Sequence, residues 1–357
     1  MKQWIRVIEH FDFSYLESSG FYIDGFRARA AQRGYRFVLS RGRPPRDFPE
    51  LLSKDPVERH EIGTVNLFRA STTDGDFFFC IDGRDRNDEY RLRFLERCRY
   101  YFKANYNEAV VNGRPELCAF RSRIFAAAPG FPVRPRGLSS YLPRPVVGAD
   151  GWSESIRLFR DHARVLKRKT PSVNEFRAMR AATKTRDVVF VVPYYNQTHH
   201  QEFNEFRYEI MKALRSLPGV DACVGFVGQV VPGKYAEFHV PYVTLGEHMR
   251  RTASSRVLVY VRGVHNCISY KFGEMLALGI PIVGQTLFNN TGTLLRYPFF
   301  DRQFAYDDPS AIAREVQTLL SDPQQQRLIA EANARTFDQF LGPEAAADGC
   351  LNVMERG

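Results

Sequence analysis

With 357 residues, 44% of them hydrophobic and 25% charged, the chain has the composition of a folded globular protein and enough length for two cores. No apolar run reaches the roughly 18–20 residues that cross a bilayer, and "MKQWIRVIEHFDF" interrupts its apolar residues with charges as no signal peptide does. A cytoplasmic location is expected, and the six cysteines, none in a CxxC pair, are expected to be reduced thiols with neither disulfide nor zinc duty. The net charge of +10 is uneven: residues 1–184 carry 34 Lys and Arg against 22 Asp and Glu, residues 185–357 carry 16 against 18. A basic first half implies an anionic contact such as an acidic acceptor, a lipid surface or nucleic acid.

In chain order, "WIRVIE" (4–9) predicts a first strand and "FYIDGFRARAAQRGY" (21–35) a helix with Phe21, Gly25, Ala28 and Ala31 on one face. "YRFVLSR", "TVNLFRA" and "DFFFCID" predict three further strands, and "RNDEYRLRFLERCRYYF" (86–102) a helix burying Tyr90, Phe94 and Leu95. Residues 113–152 are dense in Pro and Gly and predict irregular structure. A basic helix over 153–182 leads to the second half.

There, "DVVFVVPYY" (187–195) is an apolar run suited to a buried parallel strand. "EFNEFRYEIMKALRSL" follows with helical periodicity and stops at Pro218-Gly219. "ACVGFVG", "RVLVYV" (256–261) and "IPIVGQ" (280–285) predict strands, with helices at "VTLGEHMRRTA", "SYKFGEMLALG" and "PSAIAREVQTLLSD". Alternating strands and helices imply doubly wound sheets. The expected division is a first Rossmann-like domain over 1–150, a linker and bridging helix over 151–186, a second Rossmann-like domain over 187–340 and a tail over 341–357.

Ligands of such sheets lie beyond the carboxyl ends of the strands. After "RVLVYV" the loop "RGVHNC" leads into a helix that Ser269 is placed to cap, where backbone amides and the helix dipole favour a phosphate. Lys271 in the first turn suits an anion there, and Glu274 can accept hydrogen bonds from hydroxyl groups. Gly279 predicts the helix end and Pro281 the start of the next strand.

The order strand, loop, "SYKFGEMLALGIPIVG", Asn/Gly loop "TLFNNTGTLL" and two Asp-Pro helix starts (Asp308-Pro309 and Asp322-Pro323) before Phe337 resembles the donor-binding domain of GT-B glycosyltransferases. Glu274, Ala277, Gly279, Pro281 and Val283 keep the family's order of Glu followed by "xxAxGxPVV", over residues 185–340. The SxKxxE spacing is similar to the SxRxxE of exostosin-like and fucosyltransferase-like members, and the pattern as a whole to glycosyltransferase family 4. A paired-Glu motif of many retaining members is broken, with Asn266 at its upstream place, which leaves inversion or retention open.

The resemblance implies two Rossmann-like domains facing a cleft, a nucleotide-sugar donor, a glycan or glycolipid acceptor, a role in bacterial surface polysaccharide biosynthesis, and no metal or other cofactor. Candidate donor contacts are Arg262, His265, Ser269, Tyr270, Lys271, Glu274, Arg207 and Glu247, with His248 beside the last. A base acting on the acceptor is sought after strand ends of the first domain, at Asp82, Asp12 or His10, Asp82 being preferred for its place directly after "FFFCI"; Asp24 is a further acid there. Peripheral association with an anionic membrane surface is admitted by the basic first half. Asp74-Gly75-Asp76 matches a metal-binding DxD as text, but it precedes its apolar strand and reads as a turn. A nucleotide-sugar epimerase of the same fold is an alternative. So is a nucleic-acid-binding protein, for which the charge speaks but no RRM, KH or helix-turn-helix pattern does.

Overall fold

The computed structural model describes residues 4–11, 16–40, 45–52, 63–137, 156, 159–160, 163–197, 200–294 and 296–356. The chain divides into two compact units, residues 1–172 with 339–357 and residues 173–338. The segment read as a tail therefore belongs to the first unit. The segment read as a linker is split, its first part in one unit and the helix Val173–Met179 in the other.

The first unit is built on six strands in the order β2-β1-β3-β4-β5-β6, with β1 Ile5–Phe11, β2 Arg36–Ser40, β3 Val65–Thr72, β4 Asp76–Asp82, β5 Cys98–Lys103 and β6 Ile124–Ala126. β1 pairs in parallel with β2, and β4 with β5 and β5 with β6 likewise. β3 alone runs antiparallel to its neighbours, because it turns directly into β4. That hairpin holds Asp74-Gly75-Asp76: Thr72 N donates to Gly75 O at 3.1 Å, and Gly75 has φ of +125°. The DxD text is a turn, as its position suggested.

The helix predicted over 86–102 is a short one, α2 (Leu92–Arg97), followed by β5. Aromatic residues in "CRYYFK" pack on a sheet surface better than on a helix, and Tyr100, Tyr101 and Phe102 are buried there. Of the basic helix expected over 153–182, residues 163–167 are helical, Lys169 has a left-handed φ of 50°, and the chain restarts as α3 (Val173–Met179) after Pro171. Pro171 has no amide to donate, so it interrupts any continuous helix there.

Helix α1 (Leu16–Arg33) connects β1 to β2 and packs on the helix Pro343–Arg356. Their approach is close at Gly25, where a Cβ would fall 2.0 Å from the Pro343 carbonyl oxygen, so any larger residue would push the helices apart. Arg33 clasps the far end, pairing with Asp348 at 2.9 Å and Glu355 at 3.2 Å.

The second unit carries five strands, all parallel, in the order β11-β10-β7-β8-β9. They are β7 Arg186–Pro193, β8 Ala222–Val227, β9 His239–Val240, β10 Ser255–Tyr260 and β11 Ile282–Gly284. Helices α4 (Gln201–Arg215), α5 (Leu245–Ala253) and α6 (Tyr270–Ala277) connect them, followed by α7 (Pro309–Ser321) and α8 (Pro323–Thr336). The apolar face of α4 (Ile210, Met211, Leu214) and that of α7 (Ile312, Val316, Leu319) close over Val188, Phe190, Val257 and Val259. Asp308 and Asp322 cap α7 and α8 with Pro in the next position, accepting from Ala311 N at 2.7 Å and Gln325 N at 2.9 Å. Gly279 follows α6 at φ of +60°.

Read from β9 to β11, the order is 3-2-1-4-5, and the direction of winding reverses between β7 and β10. A parallel sheet of this order splits its connecting loops to opposite sides at that reversal, leaving a crevice at the carboxyl ends of the two strands. No helix among the described residues is long and apolar enough to cross a membrane.

Candidate functional site

The crevice is occupied by a pocket lined by Glu202, Phe203, Phe206 and Arg207 of α4, Val261 and Arg262 after β10, Asn266, and Gln285 after β11. Arg207, one turn and a half into α4, is only 4% exposed. Its Nη1 donates to the carbonyl of Pro193 at the end of β7 (3.1 Å) and its guanidinium lies 4.7 Å from the centre of the Tyr195 ring. Its Nε is buried without a hydrogen-bond partner. Among the described residues no carboxylate lies within ion-pair distance of it. The groups acting on its charge are burial, which lowers its pKa, and Tyr195, Tyr270 and Cys267, which oppose that. Arg stays a cation regardless. A buried cation without a counter-ion is costly by several kcal/mol, so this side chain favours any anion that enters the pocket.

Arg262 stands on the other wall. Its backbone N donates to Gln285 Oε1 at 3.0 Å, its Nη1 to Thr286 O at 2.8 Å and to Asp307 at 2.9 Å, while it covers the Phe288 ring at 4.2 Å. Its Nε is buried without a hydrogen-bond partner too. The loop between the walls is tightly folded. Gly263 N donates to Cys267 O at 3.0 Å, and His265 and Asn266 both have left-handed φ, 59° and 55°. Two adjacent non-glycine residues in that region cost roughly 1–2 kcal/mol each, strain of a kind that collects at ligand sites. Ser269 occupies the N-cap of α6 as its position suggested, with extended φ and ψ. Its amide donates to Tyr260 Oη at 3.0 Å, but its Oγ caps nothing and is buried without a partner. Tyr270 is 44% exposed at the first turn, and His265 is exposed on the loop.

Three residues read as donor contacts lie elsewhere. Lys271 turns its ammonium inward, and Nζ donates to Val191 O in the middle of β7 at 3.1 Å. Burial lowers its pKa, while Glu274 one turn on raises it and Arg207 lowers it further. Glu274 is 2% exposed. Both line a narrow internal cavity beneath α5 with His248 and Met249, separate from the pocket that holds Arg207. His248 is driven to a pKa of about 3 by burial, then by Lys271 and Arg251, so it is neutral at any working pH. Glu247 sits in the first turn of α5, whose cap is Thr244, and spends its carboxylate on Arg250 (3.0 Å) and Arg251 (3.1 Å) of the same helix. Thus Lys271 and Glu274 serve the interior of the unit and Glu247 its helix surface.

Among the candidates for the base in the first unit, Asp82 is fully buried and fully engaged. Oδ1 accepts from Arg84 N (2.9 Å) and Arg84 Nε (3.1 Å), and Oδ2 from Arg84 Nη2 (3.0 Å), Lys103 Nζ (3.0 Å) and the Tyr101 hydroxyl. Burial raises its pKa, but Lys103 and Arg84 outweigh that and hold it well below the usual carboxylate range. A carboxylate so bound neither takes a proton nor reaches a substrate, which corrects the preference for Asp82 as the base. His10 is wholly buried, tilted against Phe68 at 4.8 Å between ring centres, and burial lowers its pKa to about 3. It too is a core residue. Asp12 lies outside the described residues. Asp24, 1% exposed on α1, accepts from Arg136 N at 2.8 Å, and burial raises its pKa to about 6.

An Arg on a helix is ordinarily solvated, but Arg207 is buried. The signal for this was available in the neighbouring letters: Arg207 follows Phe203 and Phe206, on the side of the helix that turns toward the end of the preceding strand.

Among solved structures the chain is similar to a glycosyltransferase from Rickettsia africae (10% identity, TM-score 0.46, covering 98% of this chain and 97% of that one). It is also similar to HepE of Anabaena in complex with UDP-glucose (10% identity, TM-score 0.45, 99% and 100%). TarM of S. aureus is a third (9% identity, TM-score 0.43, 74% of this chain), and there the match spans about half of the other protein, 47%. No family model and no curated protein matches the sequence.

Proposed function

We propose that the protein is a glycosyltransferase that takes its sugar from a nucleotide-sugar donor, whose diphosphate binds in the pocket between Arg207 and Arg262. The observation that carries this reading is Arg207, a buried guanidinium with an unpartnered Nε and, among the described residues, no carboxylate within ion-pair distance, at the reversal point of a parallel sheet. The order of motifs over 185–340 supplies the rest. Transfer leaves a negative charge on the departing nucleotide, and Arg207, Arg262 and the start of α6 would offset it without a metal ion. The acceptor is a glycan or glycolipid of bacterial surface polysaccharide biosynthesis in this reading. With Asp82 and His10 committed to the core, Asp12, the residue after β1, is the candidate for the base.

The test is calorimetry with UDP, GDP, CMP and dTDP, with and without Mg²⁺, on the wild type and Arg207→Met. Selective binding of one nucleotide, unchanged by Mg²⁺ and lost in the variant, is expected. No nucleotide binding, with salt-sensitive oligonucleotide binding instead, would replace this reading by the nucleic-acid one. Asp12→Asn should keep nucleotide binding and lose transfer; retained transfer removes Asp12 from the role.

A further inference from the structure

At the start of β1 the first unit holds a cavity that neither its core nor the donor pocket uses. Its volume is about 230 Å³, against about 140 Å³ for the pocket at Arg207. One wall is the ring of Trp4, 58% exposed. The others come from the last turn of α1 (Gln32 and Arg33), from Tyr35, and from the end of the helix Pro343–Arg356 (Leu351 and Glu355). Gly34, at φ of +73°, makes the turn from α1 to β2, and a Cβ there would stand 3.4 Å from the Trp4 ring. The indole is thus seated along that turn without entering the core, while the buried Tyr35 and Leu351 give the cavity its apolar inner side.

The charges around it are already spent. Arg33 has five N–H groups, and all are committed. Nε and Nη2 donate to Asp348 Oδ1 (3.2 and 2.9 Å), Nη1 to both oxygens of Glu355 (3.2 Å each), and Nη2 also to Asn352 Oδ1 (2.9 Å). Arg29 holds the other oxygen of Asp348 at 2.8 Å. Two cations therefore face two acids. A phosphate would find no unspent N–H on Arg33 and would meet both carboxylates, and an ammonium ligand would have to displace Arg33 from its ion pairs. What is left to a ligand is the face of Trp4, the amide of Gln32, and the further lone pairs of Glu355, whose side chain is 34% exposed.

That set suits a neutral molecule with one apolar face and a rim of hydroxyl groups. A pyranose is such a molecule: its axial C–H groups pack on an indole, and its hydroxyls can donate to Glu355 and accept from Gln32. Trp4 precedes the seven residues of β1, so about 20 Å separate the cavity from Phe11 at the strand's other end. The candidate base Asp12 follows Phe11. A sugar at Trp4 is then a distant unit of a glycan and not the reacting one, and a second point of attachment raises the effective concentration of the first.

We propose that the cavity at Trp4 binds a neutral hexopyranose unit of a glycan, remote from the site of transfer. The choice of a glycan rests on the transferase reading, but the cavity belongs to the first unit alone, so the two can fail separately.

The experiment is saturation-transfer NMR of the full chain with maltose, cellobiose, lactose and chitobiose, and with adenosine as a planar aromatic comparison. Transfer to the C–H protons of at least one disaccharide is expected, with binding about tenfold weaker or more in Trp4→Ala, the scale of one aromatic contact. Gln32→Ala should weaken it severalfold and serves if Trp4→Ala misfolds. Both variants should melt and bind nucleotide as the wild type does, and Arg207→Met should keep the sugar. Absence of transfer to all four sugars overturns the proposal, as does binding that both variants leave unchanged. Adenosine bound at Trp4 in place of the sugars, or a dimer that Trp4→Ala dissolves, would likewise overturn it and give the face to a nucleobase or to a second copy of the chain. Sugar binding without nucleotide binding would uphold this site and remove the transferase reading; nucleotide binding without sugar binding would do the reverse.

Discussion

Two buried cation sites at the ends of parallel strands make opposite use of the same residue types. In the first unit, Lys103 at the end of β5 and Arg84 just after β4 close on Asp82, with Tyr101 and Glu89 completing the set. In the second, Arg207 and Arg262 stand at corresponding strand ends, with one solvent-screened carboxylate, the 49%-exposed Asp307, on Arg262 and, among the described residues, none on Arg207. A closed network holds a fold together and has no valence left for a ligand; an open one sacrifices stability to keep a charge available. A sheet of this kind offers the position, and the presence or absence of one internal carboxylate decides its use.

The contrast can be broken most severely at Asp82. Asp82→Ala leaves Lys103 buried without a counter-charge and Arg84 with only the half-exposed Glu89, and should destabilise the protein by about 3–5 kcal/mol in denaturant unfolding; a change below about 1 kcal/mol would mean the network is not closed. Because its carboxyl pKa is depressed on folding, the contribution of Asp82 is present above the unfolded value near 4 and is lost as the pH falls below it.

Asp24 sharpens the comparison, since burial moves it in the other direction, from 3.8 to about 6. Its protonated form is the one the fold prefers, so its contribution is present below pH 4 and is lost as the pH rises through about 6. The shift corresponds to about 3 kcal/mol. Asp24→Asn should flatten the stability profile between those limits, read as the difference from the wild type, and should be the more stable protein at neutral pH. Parallel profiles would show that Asp24 is not so perturbed.

At the open site, Arg207→Met should cost nucleotide binding about 1.5–3 kcal/mol, the range of a charge-assisted hydrogen bond, while the unliganded variant melts at or above the wild-type temperature. A variant that unfolds earlier and binds as before would make Arg207 a structural residue like Lys103. The smallest effect is expected at Lys271: Lys271→Met should change nucleotide affinity by less than about tenfold, under about 1.4 kcal/mol, because its ammonium meets Val191 O and not the pocket. A larger loss, with the fold intact, would return Lys271 to the phosphate site.

How far the letters carried can be judged from these residues. Four of the five strands of the second unit, the caps at Asp308 and Asp322 and the turn at Gly279 were legible, since each rests on local propensity or on an apolar run; the two-residue β9 was not. The loop 262–267 and the start of α6, beside the proposed site, were legible as a loop and a helix start. Which cation faces the pocket was not legible, because for Arg207 and Lys271 that depends on how α4 and α6 rotate on the sheet, which no spacing in sequence records. Asp82 misled for a related reason: an acid after an apolar strand looks the same whether its partner, Lys103, lies beside it or not, and that neighbour comes from a strand read as helix.

The close seat of Gly25 on Pro343 has a consequence for the order in which the protein is made. Residues 173–338 form a contiguous unit that can complete its sheet as soon as it has left the ribosome. The first unit, although synthesised earlier, lacks the helix that covers α1 until Pro343–Arg356 has emerged. The half translated first is thus the half finished last, and during that interval the face of α1 around Gly25 stays uncovered.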